Sequence, residues 1–194
     1  MKTTQFYNTI SPLYFMIDFF LKRHKKRLIK EVNNYPNHSI LEIGVGQGKH
    51  LEQYDSKHIT GIDISEKMLE RSRINNSPSI NFIKMDGINI SQLPQKFDIV
   101  ILSHVLSTSS NANEIIQAAH QALNHNGKII ILNHFSTNGI LSIIEKIAQP
   151  IARLFQFQSY FPLENLTALK AFRPMKALKF GFFNSYQLLI FEKP

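Results

Sequence analysis

The sequence predicts an α/β fold in which helices cover both faces of a doubly wound, mostly parallel sheet of seven strands. The first observation is that, from residue 39 onward, short isoleucine-rich runs alternate with segments that carry helix signals. The second is that these runs are apolar throughout, as in strands buried on both faces of a parallel sheet. Such an alternation is typical of βαβ units. With 194 residues, the chain is expected to form one domain, residues 1–194.

The parallel part of the sheet is expected to consist of apolar runs with helical segments between them. The expected strands are residues 39–45, 58–64, 80–85, 97–103 and 127–133. The expected helical segments are residues 49–54, 65–73, 88–93 and 111–125. Ser65 is a typical N-cap for the second of these segments, and Asn126-Gly127 is a typical end for the fourth.

The last third of the chain departs from this alternation. An apolar helix is expected over residues 139–155, with a bend or break near Pro150 because proline removes a helix hydrogen bond. Two β-like runs, 177–184 and 185–193, then follow each other directly. They are expected to form an antiparallel hairpin at the edge of the sheet.

The composition is that of an ordinary globular protein, with 43% apolar and 19% charged residues. There is no cysteine, which excludes disulfides and cysteine-ligated metal sites. The eight histidines show no HExxH-type pairing, so no metal site is expected. The net charge of +8 favours an anionic partner, such as an acidic membrane surface or a nucleic acid.

Much of the positive charge lies in the N-terminal segment, residues 1–35, next to an apolar run at residues 13–21. This run is too short to cross a bilayer and contains Asp18. The basic residues follow the apolar run, whereas in a secretory signal they precede it. The segment is therefore expected to form an amphipathic helix with an apolar first half and a basic second half.

The loop after the first strand has the pattern E-x-G-x-G-x-G, from Glu42 through Gly44 and Gly46 to Gly48. It differs from the dinucleotide fingerprint GxGxxG, which would need glycine in place of Lys49, and from a P-loop, because no GKS or GKT occurs. Glycines let the backbone approach a ligand closely. The carboxylate of Glu42 suits a ligand that carries an ammonium group.

Acidic residues also end the next two strands. Asp63 stands where a carboxylate accepts hydrogen bonds from both ribose hydroxyls, and Asp86 where one accepts a bond from an adenine amino group. Ser103 and His104 end the fourth strand and are expected to face the same pocket. Asp98, by contrast, is expected to shape the entry to that strand.

Together these motifs resemble those of the class I S-adenosylmethionine-dependent methyltransferases. "ILEIGVGQG" resembles their first motif, "GIDIS" their ribose-binding motif, "KMDG" their adenine-proximal motif and "FDIVILSHVL" their fourth-strand motif. The resemblance covers residues 39–133 and implies a Rossmann-like fold with S-adenosylmethionine as cofactor. The cofactor-binding residues that it implies are Glu42, Gly44, Gly46, Gly48, Asp63, Ile64, Met68, Asp86, Gly87, Ser103 and His104.

The flanks resemble one branch of these enzymes. "YNTISPLYFMIDFF" is similar to the N-terminal element of methyltransferases that act on lipids and quinones, and the acceptor side, residues 134–194, resembles bacterial phosphatidylethanolamine N-methyltransferases. This resemblance implies methylation of phosphatidylethanolamine towards phosphatidylcholine, with peripheral association at the inner face of the cytoplasmic membrane. It implies catalytic roles for Tyr7, Tyr14 and His134, and contacts to a lipid phosphate from Arg153 and Arg173.

Two other functions remain open from the sequence. The acceptor can be a small apolar metabolite or a quinone precursor, with the flanks forming a lid over the pocket. The chain can also be a non-catalytic protein that binds S-adenosylmethionine or a membrane. A nucleic-acid partner is not expected, since "SHVL" rather than an Asn/Asp-Pro-Pro-Tyr-type motif follows the fourth strand.

Overall fold

The computed structural model describes residues 24–136, 140–154, 158–181 and 184–194. Its seven-stranded sheet confirms the predicted fold class. The strands are β1 (Ile40–Ile43), β2 (Ile59–Asp63), β3 (Asn81–Lys84), β4 (Phe97–Ser103), β5 (Leu123–His134), β6 (Arg173–Phe180) and β7 (Tyr186–Glu192). The helices are α1 (residues 24–32), α2 (Glu66–Asn75), α3 (Ala112–Ala122) and α4 (Ile140–Leu154). None of these helices is long and apolar enough to span a membrane.

The strand order is β3-β2-β1-β4-β5-β7-β6. Strands β1 to β5 run parallel to one another, whereas β7 is antiparallel to both β5 and β6. The strand order reverses between β1 and β4, and α/β sheets form their ligand crevice at such a point, at the carboxyl ends of the strands. The predicted hairpin is confirmed, with β7 next to β5 and β6 at the edge.

Alternate residues of the central strands fill two cores, one on each face of the sheet. On one face Leu102 of β4 belongs to a cluster with Ile116 of α3, and on the other Ile101 belongs to a cluster with Leu28 of α1. All four side chains are fully buried. The uninterrupted apolar runs of the sequence are thus explained by a sheet that is covered on both faces.

Two segments that were expected to be α-helical form only 3₁₀ turns, Leu51–Gln53 and Gly87–Gln92. The glycine loop occupies much of the short connection between β1 and β2, so too few residues remain for a stable helix. In the second case Asp86 caps the turn, since its carboxylate accepts a hydrogen bond from the Ile88 amide. Both connections therefore stay close to the carboxyl ends of the strands.

Three further local predictions have different outcomes. The Ser65 cap is confirmed, because its hydroxyl accepts a hydrogen bond from the Met68 amide. Asn126 and Gly127 lie within β5 rather than at a helix end. The positive φ of Asn126, 59°, and the nearby shift in the β4–β5 register are typical of a β-bulge. Of the expected bend or break near Pro150, the break is absent, since α4 continues through it.

Asp98 ties the start of β4 to its two neighbouring strands, in line with the sequence expectation. Its carboxylate accepts hydrogen bonds from the amide and hydroxyl of Ser39, just before β1, and from the side chain of Asn124 in β5. Burial acts to raise the pKa of Asp98, but these hydrogen bonds keep the pKa below its ordinary value. The residue therefore has a structural role at the end of the sheet opposite the crevice.

Candidate active site

The glycine loop after β1 takes a conformation that glycine adopts more easily than any other residue. Gly44, Gly46 and Gly48 all have positive φ, of 69°, 58° and 62°. A Cβ on Gly44 would lie 2.5 Å from Val105 Cγ2, whereas a Cβ on Gly46 would have no atom within 4 Å. Packing therefore requires Gly44, while Gly46 leaves open space in which a ligand can reach the backbone.

Asp63 holds this loop from the end of β2. One carboxylate oxygen accepts a hydrogen bond from the Gly46 amide at 3.0 Å, and the other accepts one from the Ser65 amide at 2.9 Å. The Ser72 hydroxyl donates to the Gly46 carbonyl at 2.7 Å. Because an ionised carboxylate accepts about four hydrogen bonds, Asp63 keeps acceptor positions for ligand hydroxyl groups.

The other predicted cofactor residues at the ends of β2 and β3 differ in their surroundings. Ile64 is 70% exposed and offers an apolar surface beside the loop. Met68 is half-buried one turn further along the chain, and Asp86 is exposed. Gly87 is buried, and a Cβ there would lie 3.0 Å from Ile43 Cγ2. Close packing against β1 therefore accounts for Gly87 without a ligand.

Glu42 lies in β1 with no exposed surface. Nε2 of His50 lies 2.8 Å from Glu42 Oε1, and the Tyr54 hydroxyl donates to Oε2 at 2.8 Å. On the other side of the imidazole, Nζ of Lys25 lies 3.1 Å from Nδ1. A lysine ammonium can only donate, so Nδ1 accepts and the ring proton lies on Nε2, towards Glu42. We call these four side chains the Glu42 network.

The Glu42 network keeps its carboxylate ionised inside the protein. Burial acts to raise the pKa of Glu42, but attraction and hydrogen bonding from His50, the charge of Lys25 and the Tyr54 hydroxyl hold the pKa below its ordinary value. Burial, together with the Glu42 charge, raises the pKa of Tyr54 well above its ordinary value. A contact from Glu42 to a ligand ammonium stays a prediction, because the carboxylate already has these partners.

Polar atoms without a partner mark the end of β4. Among the described residues, His104 Nε2 and the buried Ser103 Oγ make no hydrogen bond. Burial, assisted by Lys25 and His24, lowers the pKa of His104 to about 3, so this ring is neutral at neutral pH. Since buried polar atoms normally have partners, a polar group of a ligand fits here.

His134, the last residue of β5, lies close enough to influence the pKa of His104. Its Nε2 lies 3.4 Å from Oε1 of Glu145 in α4, and its ring centroid lies 5.6 Å from that of Tyr186. Burial lowers the pKa of His134, and Glu145 acts in the opposite direction. Two predicted site residues, His104 just after β4 and His134 at the end of β5, are thus brought together. Glu145 and Tyr186, which no sequence motif indicates, join them.

Arg173 does not join this site. It pairs with Glu192, which in the sheet register lies opposite Lys128 near the start of β5. His134 is at the other end of that strand, so Arg173 cannot contact a ligand bound near His134, and the expected phosphate contact is corrected. The remaining predicted residues lie outside the described part of the chain: Tyr7, Tyr14 and the side chain of Arg153.

Residues 41–131 match the family model described as a methyltransferase domain. The chain is 33% identical over 91 residues to an uncharacterised protein of Methanocaldococcus jannaschii, a match that covers 47% of this chain and 42% of that protein. It is 31% identical over 94 residues to the tRNA (carboxymethyluridine(34)-5-O)-methyltransferase of Saccharomyces cerevisiae, covering 47% of this chain and 33% of that protein. The chain thus spans less than half the length of these curated relatives.

Solved structures share the fold over most of the chain. The TM-score is 0.73 with a candidate methyltransferase from Bacillus halodurans, at 12% identity over 87% of this chain and 98% of that one. The TM-score is 0.67 with the N-methyltransferase NodS from Bradyrhizobium japonicum in complex with S-adenosyl-L-homocysteine, at 19% identity over 89% of this chain and 86% of that one.

Residues 41–131 thus resemble a methyltransferase domain, and the chain shares its fold with these solved structures. NodS was solved with S-adenosyl-L-homocysteine bound, and the sequence motifs of this chain imply S-adenosylmethionine as its cofactor. The loop described above fits that molecule, because Gly46 leaves open space and Asp63 has acceptor positions for ribose hydroxyls. The unpartnered atoms of Ser103 and His104 suit its polar amino-acid end.

Alanine at Gly44 and alanine at Gly46 are expected to have different effects. Gly44→Ala combines left-handed strain of about 1–2 kcal/mol with the clash against Val105, so it should lower the free energy of unfolding markedly. Gly46→Ala carries the strain alone and should stay folded, but its methyl group fills the open space and weakens cofactor binding. Denaturant unfolding and calorimetry with S-adenosylhomocysteine measure the two effects. Equal stability of both variants would contradict the packing role of Gly44.

Removal of His50 should strongly destabilise the protein, because Glu42 then keeps a buried charge without its main partner. We expect His50→Ala to lower the free energy of unfolding by about 3–5 kcal/mol. Tyr54→Phe, which removes one hydrogen bond to a charged group, should lower it by about 1.5–3 kcal/mol. Denaturant titrations at pH 7 measure both values.

The pH dependence tests the ionisation of Glu42. Its folded pKa lies below the ordinary value of 4.5, so its stabilisation is complete above that pH and is lost as the pH falls through the folded pKa. The difference in unfolding free energy between the wild type and Glu42→Gln should therefore shrink in acid. A difference that stays constant through this range shows that Glu42 is not an ionised partner of the network.

Proposed function

We propose that this chain transfers methyl groups from S-adenosylmethionine to the amine of phosphatidylethanolamine at a membrane surface, towards phosphatidylcholine. The observation that carries the proposal is the position of His134 at the carboxyl end of the sheet. There it shares a site with His104 on one side and contacts Glu145 of α4 on the other. Ile143 and Ile147 are exposed on the outward side of α4 together with Lys146, so this helix connects the methyl-transfer site with an apolar and basic surface suited to lipid.

The geometry of α4 supports a lipid acceptor. Ile143 and Ile147 are 56% and 73% exposed and, four residues apart, lie on one face of the helix. Glu145, between them in sequence, projects to roughly the opposite face, where it contacts His134. A helix is about 10 Å wide, so lipid chains packed on the isoleucines leave only a short path to His134. That path suits a phospholipid head group.

Charge supports the same surface. Lys26, Arg27 and Lys30 of α1 are exposed, and the apolar run at residues 13–21 precedes them in sequence. Apolar residues next to basic ones favour an anionic membrane surface. We therefore propose peripheral association with the inner face of the cytoplasmic membrane.

In this proposal the residues of the loop hold the cofactor. S-adenosylmethionine supplies an electrophilic methyl group when it is bound. Asp63 would accept hydrogen bonds from the ribose hydroxyls, and Ile64 and Asp86 would contact the adenine. Ser103 and His104 would contact the amino-acid end. The backbone at Gly44, Gly46 and Gly48 lets the ligand lie close to β1.

The acceptor amine must lose a proton before it accepts a methyl group. Burial keeps the His134 ring neutral by lowering its pKa, so it is able to take the proton, and Glu145 stabilises the charge that results. On the basis of sequence alone, Tyr7 and Tyr14 are further candidates to accept this proton. Their rings are also candidates to pack against the sulfonium of S-adenosylmethionine. Alignment and exclusion of water supply the remaining rate acceleration.

A nucleic-acid acceptor is the second candidate. The yeast relative is named for a tRNA substrate, and the net charge of +8 suits a polyanion. The exposed isoleucines of α4 favour the lipid instead, because an RNA surface leaves them unburied. The lipid analysis described next distinguishes a lipid acceptor from a nucleic acid and from a small apolar metabolite.

Expression in a host that lacks methylated phospholipids tests the proposed acceptor. Mass spectrometry of the extracted lipids should detect mono- and dimethylated phosphatidylethanolamine, and phosphatidylcholine if all three transfers occur. Asp63→Ala is the matched control, since losing charge-assisted hydrogen bonds should weaken cofactor binding about tenfold to a hundredfold. Unmethylated lipids, together with formation of S-adenosylhomocysteine from S-adenosylmethionine when RNA or a soluble acceptor is supplied, would move the assignment to that acceptor.

Membrane binding should depend on the N-terminal charges. Replacing Lys22, Arg23, Lys26 and Lys30 with glutamine should weaken binding to anionic liposomes by about 1 kcal/mol per charge. Lys25 is left in place because it contacts His50. The control replaces four exposed lysines of the rest of the chain: Lys57, Lys67, Lys84 and Lys170. Liposome sedimentation measures binding, and equal losses in both variants would show that only total charge matters.

A further inference from the structure

Tyr186 is the centre of a cluster of rings that the sequence did not indicate. The ring centroids of His24, His134 and His104 lie 4.1, 5.6 and 5.9 Å from that of Tyr186. These rings come from α1, the end of β5 and the loop after β4, and Tyr186 is the first residue of β7. Because β7 is antiparallel to β5, Tyr186 lies directly opposite His134 in the sheet. We call Tyr186, His104, His134 and Glu145 the Tyr186 cluster.

The rings of Tyr186, His104 and His134 are uncharged at neutral pH, and the side chain of Glu145 adds a carboxyl group beside them. Burial lowers the pKa of His104 to about 3, lowers the pKa of His134 and raises the pKa of Tyr186. Glu145 Oε1 lies 3.4 Å from His134 Nε2. Its other oxygen, Oε2, is buried and has no hydrogen-bond partner among the described residues. The cluster thus combines neutral ring faces with one unsatisfied carboxylate oxygen.

An unsatisfied carboxylate oxygen is costly unless a ligand completes its hydrogen bonds. An anion at this place would be repelled by Glu145, and an apolar group would leave Oε2 without a partner. An organic ammonium donates to the carboxylate and is attracted by the faces of neighbouring aromatic rings. The chemistry of the cluster therefore selects a cationic amine.

We propose that the Tyr186 cluster is the binding site for the acceptor amine, which it holds as an ammonium between Glu145 and the rings of Tyr186, His104 and His134. This inference rests on the proposed function and adds to it the head-group site and the class of acceptor, an alkylammonium. Glu145 is the counter-charge, and Tyr186 is the ring against which the N-methyl groups of partly methylated acceptors pack.

Binding of a soluble head group tests the site without methyl transfer. The probe is glycerophosphoethanolamine, titrated into the full chain with S-adenosylhomocysteine present and followed by ligand-observed NMR. Glu145→Gln removes the charge at the same size and should weaken binding about tenfold to a hundredfold. Tyr186→Leu removes the ring and should weaken binding several-fold, whereas Tyr186→Phe, which keeps the ring, should bind nearly as the wild type does.

The controls separate a binding role from a structural one. Glu164→Gln changes an exposed carboxylate, and Tyr35→Leu changes a half-buried tyrosine that packs against Lys128 near the start of β5, away from the cluster. Neither should alter binding of the probe. Affinity for S-adenosylhomocysteine should be the same in all variants, which shows that the fold and the cofactor loop are intact. Replacing the probe by glycerophosphoglycerol, which has no amine, should abolish binding.

The outcomes distinguish this inference from the proposed function. If the wild type methylates phosphatidylethanolamine but Glu145→Gln and Tyr186→Leu bind the probe and turn over lipid normally, the inference is overturned and the function stands. If lipid is not methylated but the probe binds and the two variants lose it, the amine site stands and the lipid acceptor is wrong. If no amine binds and RNA or a neutral compound is methylated, both fail.

Discussion

The buried charge of Glu42 is the constraint on which this site depends. A carboxylate with no exposed surface is stable inside a protein only with close partners. Those partners, His50 and Tyr54, follow the glycine loop, whereas Glu42 precedes it, so the network fixes both ends of the loop. Lys25 extends the same interaction to α1 and holds that helix against the sheet at the crevice.

The C-terminal hairpin completes the other side of the crevice because of its direction. In a sheet of parallel strands only the carboxyl ends of the strands lie at the crevice. Their amino ends, with the loops that lead into them, lie at the opposite end of the strands. As β7 runs the other way, it brings its first residue, Tyr186, to the last residue of β5, His134. The segment that matches the methyltransferase family model thus provides the glycine loop, while α1, α4 and β7 line the other side of the crevice.

The sequence predicted the parts of the fold that follow from local patterns. Apolar runs located β1 to β5, and the glycine spacing and Asp63 located the loop, because these signals lie within a few consecutive residues. Contacts between distant segments had no such signal, which is why Tyr186 was missed. His50 lies only eight residues after Glu42, but no residue pattern shows that the glycine loop turns its ring back onto that carboxylate. Arg173 was assigned to the site for the same reason. The motif that contains it does not show at which end of the sheet its strand begins.

One consequence of this arrangement concerns self-association. Strand β6 forms an outer edge of the sheet, and an unpaired edge invites strands from other molecules to add to it. Pro174 carries no amide donor and the register shifts between Pro174 and Lys176, so the strand is irregular. Lys179 adds exposed positive charge, whereas Lys176 pairs with Glu31. An incoming strand of a second copy would therefore meet like charge and an incomplete ladder. The protein can therefore expose the isoleucines of α4 while the edge of its sheet resists polymerisation.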